Sequence, residues 1–174
     1  ARRDQADVLA RLSSVRDLVR LATSRFTIAG IGYGHGTDNP FDEAVWLVCA
    51  GLSVPIEHYE GLADARLTRA EIVKVLHLIR RRCETREPLA YLLGEAWLGG
   101  FRFRCDARAL VPRSPIVEAI VEGALAPWFG ARAPATVLDL CTGGASIAIV
   151  AASLFPDARV VASDLSVDAL SLAA

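Results

Sequence analysis

Apolar and polar positions follow two different periods along this chain, helical over roughly the first 90 residues and strand-like after Trp97. Val8, Leu12, Val15, Val19 and Ala22 form an apolar stripe, with Arg11, Arg16 and Arg20 on other faces, which predicts an amphipathic helix. Farther on, Asn39 is placed to cap a helix whose first position is Pro40 and whose first turn holds Asp42, and Gly51 is expected to end it. Thr68-Arg69-Ala70-Glu71 has the form of a capping box and opens a third helix, with Ile72, Val75, Leu76 and Ile79 on its buried face. The period then changes. Phe101, Phe103 and Cys105 alternate with Arg102 and Arg104 behind Gly99-Gly100, which predicts a β-hairpin. Leu110 to Pro115 reads as extended and proline-stiffened. Ser114 is expected to cap a helix from Pro115 to about Ala124, and Ala126 to Pro134 to form a connection.

The last stretch carries the chemistry. Val137-Leu138-Asp139-Leu140 reads as a strand, Cys141-Thr142-Gly143-Gly144 as a tight turn, and Ala145-Ser146-Ile147-Ala148 as the opening of a helix. A second apolar strand, Val160-Val161-Ala162, leads to Asp164. This is how α/β folds begin a nucleoside-binding site. Gly143 and Gly144 leave room for backbone N–H groups to approach a ligand. Asp164, at the carboxyl end of its strand, stands where a carboxylate accepts hydrogen bonds from both hydroxyls of a ribose. Asp139, near the turn, can brace the loop or meet a positive group of the ligand. The chain stops at Ala174, and a sheet of this kind needs more strands, so the sequence is expected to hold only part of an enzyme.

Composition narrows the field. At 53% hydrophobic residues there is ample material for a core, and a net charge of -1 argues against a general nucleic-acid or membrane-surface protein. The basic cluster Arg80-Arg81-Arg82 is read as solvating the end of a helix, and Tyr33, Trp46 and Trp97 as packing residues. Only Lys74 among the 19 basic residues is lysine, a bias read as genomic composition. Four cysteines stand far apart with no C-x-x-C pair, so neither a metal site nor a dithiol motif is expected. The absence of a long apolar run and of a secretory leader points to a cytoplasmic protein without membrane contact. The missing methionine suggests a trimmed start.

Two other enzyme classes fit the turn less well. A nicotinamide dehydrogenase needs G-x-G-x-x-G, but Gly143-Gly144-Ala145 lacks the alternation and Ile147-Ala148 fills the place of the third glycine. Gly144-Ala145-Ser146-Ile147-Ala148 imitates a hydrolase nucleophile elbow. In that fold the acid and histidine follow the serine, whereas His35, His58 and His77 all precede Ser146.

Asp139-Leu140-Cys141-Thr142-Gly143-Gly144, with Asp164-Leu165-Ser166 and Ala169-Leu170, resembles the cofactor half of a class I S-adenosylmethionine-dependent methyltransferase. Upstream, Arg86-Glu87-Pro88-Leu89-Ala90-Tyr91-Leu92-Leu93-Gly94, Phe101-Arg102-Phe103 and Val111-Pro112-Arg113 resemble the HemK-like protein N(5)-glutamine methyltransferases. Tyr33-Gly34-His35-Gly36-Thr37-Asp38-Asn39-Pro40 and Val111-Pro112-Arg113-Ser114-Pro115 are similar to the branch of that family acting on protein three of the large ribosomal subunit. The resemblance covers about residues 10 to 174.

It implies an α/β fold of three parts: a helical substrate-recognition domain over 1–95, a β-hairpin linker over 96–108, and the incomplete first part of a Rossmann-like methyltransferase domain over 109–174. The implied cofactor is S-adenosylmethionine, bordered by Asp139, Cys141, Thr142, Gly143, Gly144 and Ala145, with Asp164 on its ribose and Leu165 beside its adenine. Pro112, Arg113 and His35 would face the substrate, a large-subunit ribosomal protein, with no direct nucleic-acid partner. Two departures stand out. Ala145 replaces a glycine usual in the family's loop, so its methyl is expected to crowd the cofactor or shift the backbone. The family's Asn-Pro-Pro-Tyr motif, which holds the substrate amide, is absent, so no catalytic residue is assigned and this stretch alone is expected to be inactive. The competing reading is a non-catalytic binding module with a residual nucleoside half-site.

Overall fold

The computed structural model describes residues 12–34, 36–129 and 132–174, and the chain divides into two compact units that meet between Leu93 and Gly94. Val8, Arg11 and His35 lie outside the described residues.

The first unit is helical. Helix α1 (Val15–Ala29) starts later than the stripe from Val8 predicts, because Ser14 and Asp17 form a capping box that sets its first turn. Leu12 is buried ahead of that cap. Helix α2 (Pro40–Leu52) is capped as expected: Asn39 Oδ1 accepts from the N–H groups of Phe41 and Asp42 at 3.0 and 2.9 Å. Gly51 does not end it. The stop is Ser53, at φ 60°, and Gly51 is a buried position inside the helix. A β-carbon on Gly51 would lie 2.9 Å from Val75 Cγ2 and 3.1 Å from Leu78 Cδ1, so this glycine serves close helix approach rather than termination. A short 3-10 turn (Ile56–His58) and helix α3 (Tyr59–Leu62) lead to helix α4 (Arg69–Thr85), opened by the predicted Thr68/Glu71 box. Helix α5 (Leu89–Leu93) closes the unit. Leu18, Ala22, Phe26, Leu47, Val48 and Val75 are among its fully enclosed core residues, and Tyr33 and Trp46 pack against that core as expected.

Arg82 corrects the reading of the arginine cluster. It is 2% exposed, since it continues the stripe of Ile72, Val75 and Ile79 at helical spacing and so points into the core. There it meets Glu43, itself 4% exposed.

The second unit begins with the hairpin. Strands β1 (Glu95–Leu98) and β2 (Phe101–Arg104) pair antiparallel with Leu98 opposite Phe101, leaving Gly99 and Gly100 as the two turn residues. Both have positive φ, 57° and 83°, as a type I′ turn requires. Trp97 is 60% exposed, against the packing role expected of it: the strand alternates faces, and Ala96 takes the buried one. Helix α6 (Pro115–Val121) starts at the predicted Ser114 cap but ends before Ala124. The expected connection contains a short helix α7 (Ala126–Phe129), begun by a bond from the Ala126 N–H to the Gly123 carbonyl. Strand β3 (Thr136–Leu140), helix α8 (Ser146–Leu154), strand β4 (Arg159–Ser163) and helix α9 (Val167–Ala173) follow. β3 and β4 run parallel, Thr136 opposite Arg159 through Leu140 opposite Ser163. Phe103, Val117 and Val150 form a small core joining hairpin, α6 and α8. No helix among the described residues is long and apolar enough to cross a membrane.

Candidate functional site

The parallel pairing of β3 and β4 brings the ends of both strands together, and the loop between β3 and α8 is built across that end. At Cys141 the backbone turns left-handed, φ 60°, and the Thr142 N–H reaches over to the Ser163 carbonyl at 3.0 Å. Gly143 repeats the left-handed turn at φ 57° and Ala145 does so again at φ 60°. Three such residues in one short loop wind it tightly and leave successive N–H groups turned toward the strand ends.

Two carboxylates hold this winding. Asp139 Oδ2 accepts from Thr142 Oγ1 at 2.5 Å and from the Ala148 N–H at 3.2 Å, tying strand, loop and first turn of α8 together. Of the two roles open to Asp139, bracing is the one its bonds perform. Asp164 Oδ2 accepts the Gly143 N–H at 2.8 Å, and Oδ1 accepts the Ser166 N–H at 2.9 Å. These backbone bonds, Ser166 first and Gly143 second, hold the Asp164 carboxyl below the usual carboxylate range. It is an anion near neutral pH, with the backbone N–H of Leu165 contributing further to the lowering.

Around this frame, Thr142 and Ala145 are buried, Gly143 and Gly144 half-buried, and Cys141 and Leu165 exposed. A β-carbon on Gly144 would meet Leu172 Cδ2 at 3.6 Å, an ordinary contact, so the chain's own packing does not demand glycine there. Ala145 has no side-chain cap to offer α8, whose first N–H groups are therefore answered only by the Asp139 bond to Ala148. The residues present fit a nucleoside-bearing cofactor: an ionised, half-buried carboxylate, an exposed apolar side chain next to it, and a glycine loop beside them.

Pro112 and Arg113 lie between β2 and α6, half-buried and exposed respectively. Upstream of them, Ala109 runs beside the loop, with its Cβ 3.9 Å from the place a β-carbon would take on Gly143 or Gly144. Asp106 and Arg108 fix that approach through a paired side-chain contact at 2.7 Å, and Arg108 Nη1 reaches Ser171 Oγ at 3.0 Å. The Arg108–Ser171 contact joins residues 63 apart, and Ser163, Ser166 and Ala148 act through their backbones, so neither has a local signal in the sequence.

No protein-family model matches the chain. Curated proteins named ribosomal protein uL3 glutamine methyltransferase do. That of Bordetella pertussis is 51% identical over 166 residues, covering 94% of this chain and 55% of its own length. That of Xanthomonas campestris pv. campestris is 48% identical over 163 residues, 94% of this chain and 53% of its own. That of Burkholderia pseudomallei is 50% identical over 161 residues, 92% and 52%. The chain spans about half the length of the curated relatives it matches.

Proposed function

We propose, from the premise that this chain is homologous to the ribosomal protein uL3 glutamine methyltransferases, that it serves S-adenosylmethionine-dependent methylation of a glutamine side-chain nitrogen in that ribosomal protein. In this reading residues 1–95 recognise the protein substrate, 96–108 link, and 109–174 form part of a Rossmann-like methyltransferase domain whose cofactor wall is the loop after β3. The observation that carries it is the pairing of that loop with Asp164, through the Gly143 N–H at 2.8 Å.

S-adenosylmethionine supplies a methyl group made electrophilic by its sulfonium. What the chain supplies is position. Asp164 accepts hydrogen bonds from the ribose hydroxyls with the acceptor capacity its backbone bonds leave. Leu165, fully exposed beside it, offers an apolar surface to the adenine. Cys141, Thr142, Gly143, Gly144 and Ala145 border the remainder, with Asp139 holding their winding and Ala145 adding a methyl on the loop. Pro112, Arg113 and His35 face the protein substrate. An amide nitrogen is a weak nucleophile because its lone pair is delocalised, so transfer rests on aligning it with the methyl group and binding its hydrogens. The Asn-Pro-Pro-Tyr motif that does this in the family does not occur in these 174 residues. The second reading is a binding module without catalysis.

Calorimetry with S-adenosylmethionine tests the assignment. Replacing Asp164 with alanine weakens cofactor binding about tenfold or more, because a charge-assisted hydrogen bond to each hydroxyl is lost. Unchanged affinity would remove the ribose from Asp164. Transfer of labelled methyl to the ribosomal protein by the purified chain would eliminate the binding-module reading.

A further inference from the structure

Two side chains from outside the glycine loop back it within the second unit. A β-carbon on Gly143 would lie 3.9 Å from Ala109 Cβ, and one on Gly144 would lie 3.9 Å from the same atom and 3.6 Å from Leu172 Cδ2. Ala109 precedes α6 and Leu172 belongs to α9, yet their immediate neighbours are bonded to each other: Arg108 Nη1 donates to Ser171 Oγ at 3.0 Å. Chemistry fixes the direction of that bond. The Ser171 hydroxyl gives its own proton to the Asp168 carbonyl at 2.7 Å, so toward residue 108 it is an acceptor and needs a donor. Asp106 holds the guanidinium from the other side. It accepts from Nη2 at 2.7 Å and from Nε at 2.9 Å, and it also accepts the Arg108 N–H at 3.0 Å. The hydrogen bonds from Arg108 lower the Asp106 carboxyl to about 2, so the pair stays charged across the neutral range.

These contacts close a ring that passes through the candidate site. Asp164 Oδ1 accepts the Ser166 N–H, and Ser166 Oγ caps α9 by accepting from the Ala169 N–H at 3.2 Å. The helix carries Ser171 to Arg108, Ala109 adjoins the glycines, and the Gly143 N–H returns to Asp164 Oδ2 at 2.8 Å. No member of such a ring moves without displacing its neighbours. As a source of stability the Arg108 link is poor, because its side-chain pairing with Asp106 is open to water and Ser171 is exposed. What it fixes is the backing of the loop.

On the proposed reading of this loop as the wall for S-adenosylmethionine, we infer that Arg108 is a positioning residue for the cofactor: through Ser171 it holds Ala109 and Leu172 behind Gly143 and Gly144, so that the loop meets the cofactor already in shape. Arg108 acts through the loop. A loop fixed before binding spares the association step the cost of ordering it.

Calorimetry with S-adenosylmethionine, together with amide spectra of the ligand-free chain, tests the role. In Arg108→Ala the thermal midpoint stays, the Gly143 and Gly144 amide resonances of the ligand-free chain move, and the cofactor is bound about threefold to tenfold more weakly, as for loss of one hydrogen bond. Ser171→Ala reproduces the loss, and Ser171→Thr, which keeps the hydroxyl, restores the affinity. Combining Arg108→Ala with Ser171→Ala loses no more than Arg108→Ala alone, since a single bond joins the two. Parent affinity in either single alanine variant, a fallen thermal midpoint, or losses that add in the double variant would overturn the positioning role and leave the cofactor in place. An unmodified chain that does not bind S-adenosylmethionine would instead overturn the cofactor reading, and the positioning role with it.

Discussion

Ala145 is one of four described non-glycine residues whose backbone is left-handed. An alanine at φ 60° pushes its β-carbon toward the following carbonyl, a conformation that costs an L-residue about 1–2 kcal/mol relative to the right-handed one. The loop tolerates it because the Ala145 N–H bonds the Thr142 carbonyl at 2.9 Å and its own carbonyl accepts from Ile149 at 2.9 Å, so both ends are held. Glycine there relieves the strain but loosens the unfolded chain and removes a buried methyl, so Ala145→Gly stays within about 1 kcal/mol of the parent in chemical denaturation. Ala145→Val, with a β-branched side chain in the same left-handed position, loses about 2 kcal/mol or more. Equal stability of the valine variant would show that the loop does not hold this backbone.

Ionisation acts at the same scale. Asp17, Glu71 and Asp164 all sit below their ordinary values. The main causes are the Ser13 N–H for Asp17, the Thr68 hydroxyl for Glu71 and the Ser166 N–H for Asp164. Asp106, beside Arg108, is lowered to about 2. A carboxylate with a lowered folded-state pKa contributes stability that is complete above its unfolded pKa and disappears as pH falls through the folded one. The thermal midpoint is therefore expected to be level from neutral pH to about 5 and to fall below about 4. A rise in stability on acidification through that range would contradict the hydrogen bonds assigned to these groups.

At the level of elements, Gly51 shows what packing adds to propensity. Alanine is the better helix former by about 1 kcal/mol, yet a β-carbon there would drive into Val75 and Leu78 of α4. Gly51→Ala is expected to destabilise the first unit by about 1–2 kcal/mol, read from its denaturant midpoint, because overpacking outweighs propensity. A stabilised variant would mean that the two helices separate at little cost. The same contrast separates what could be read from the chain from what could not. The caps at Asn39, Thr68 and Ser114 and the Gly99-Gly100 turn were readable because each is complete within a few consecutive residues. Gly51 looked like a stop and Arg82 like a solvated end because their partners, Val75 and Glu43, are remote in sequence. Only the continuation of the Ile72, Val75, Ile79 stripe onto Arg82 gave a sign of its burial. In the candidate site, Asp139, Asp164 and the glycines stood out by residue type. The bonds of Asp139 to the Ala148 N–H and of Asp164 to the Ser166 N–H, and that of the Thr142 N–H to the Ser163 carbonyl, did not, since those partners act through the backbone.

For the whole molecule, the two units divide the work of the proposed reaction. The first, which has a continuous helical core, is the unit proposed to recognise the protein substrate. In the second, Phe103, Val117 and Val150 form a cluster joining the hairpin, α6 and α8. Its parallel strand pair leaves Leu138, Leu140 and Val161 substantially exposed. On the proposed reading, cofactor binding belongs to the second unit. Titrating S-adenosylmethionine into the isotope-labelled chain and following its amide resonances tests this most directly. Shifts concentrated at Cys141 to Ala145 and at Asp164 and Leu165, and moved by Asp164→Ala to about tenfold higher cofactor or beyond, are the predicted result, whereas resonances that stay in place at saturating cofactor, or that move mainly in the first unit, would contradict it.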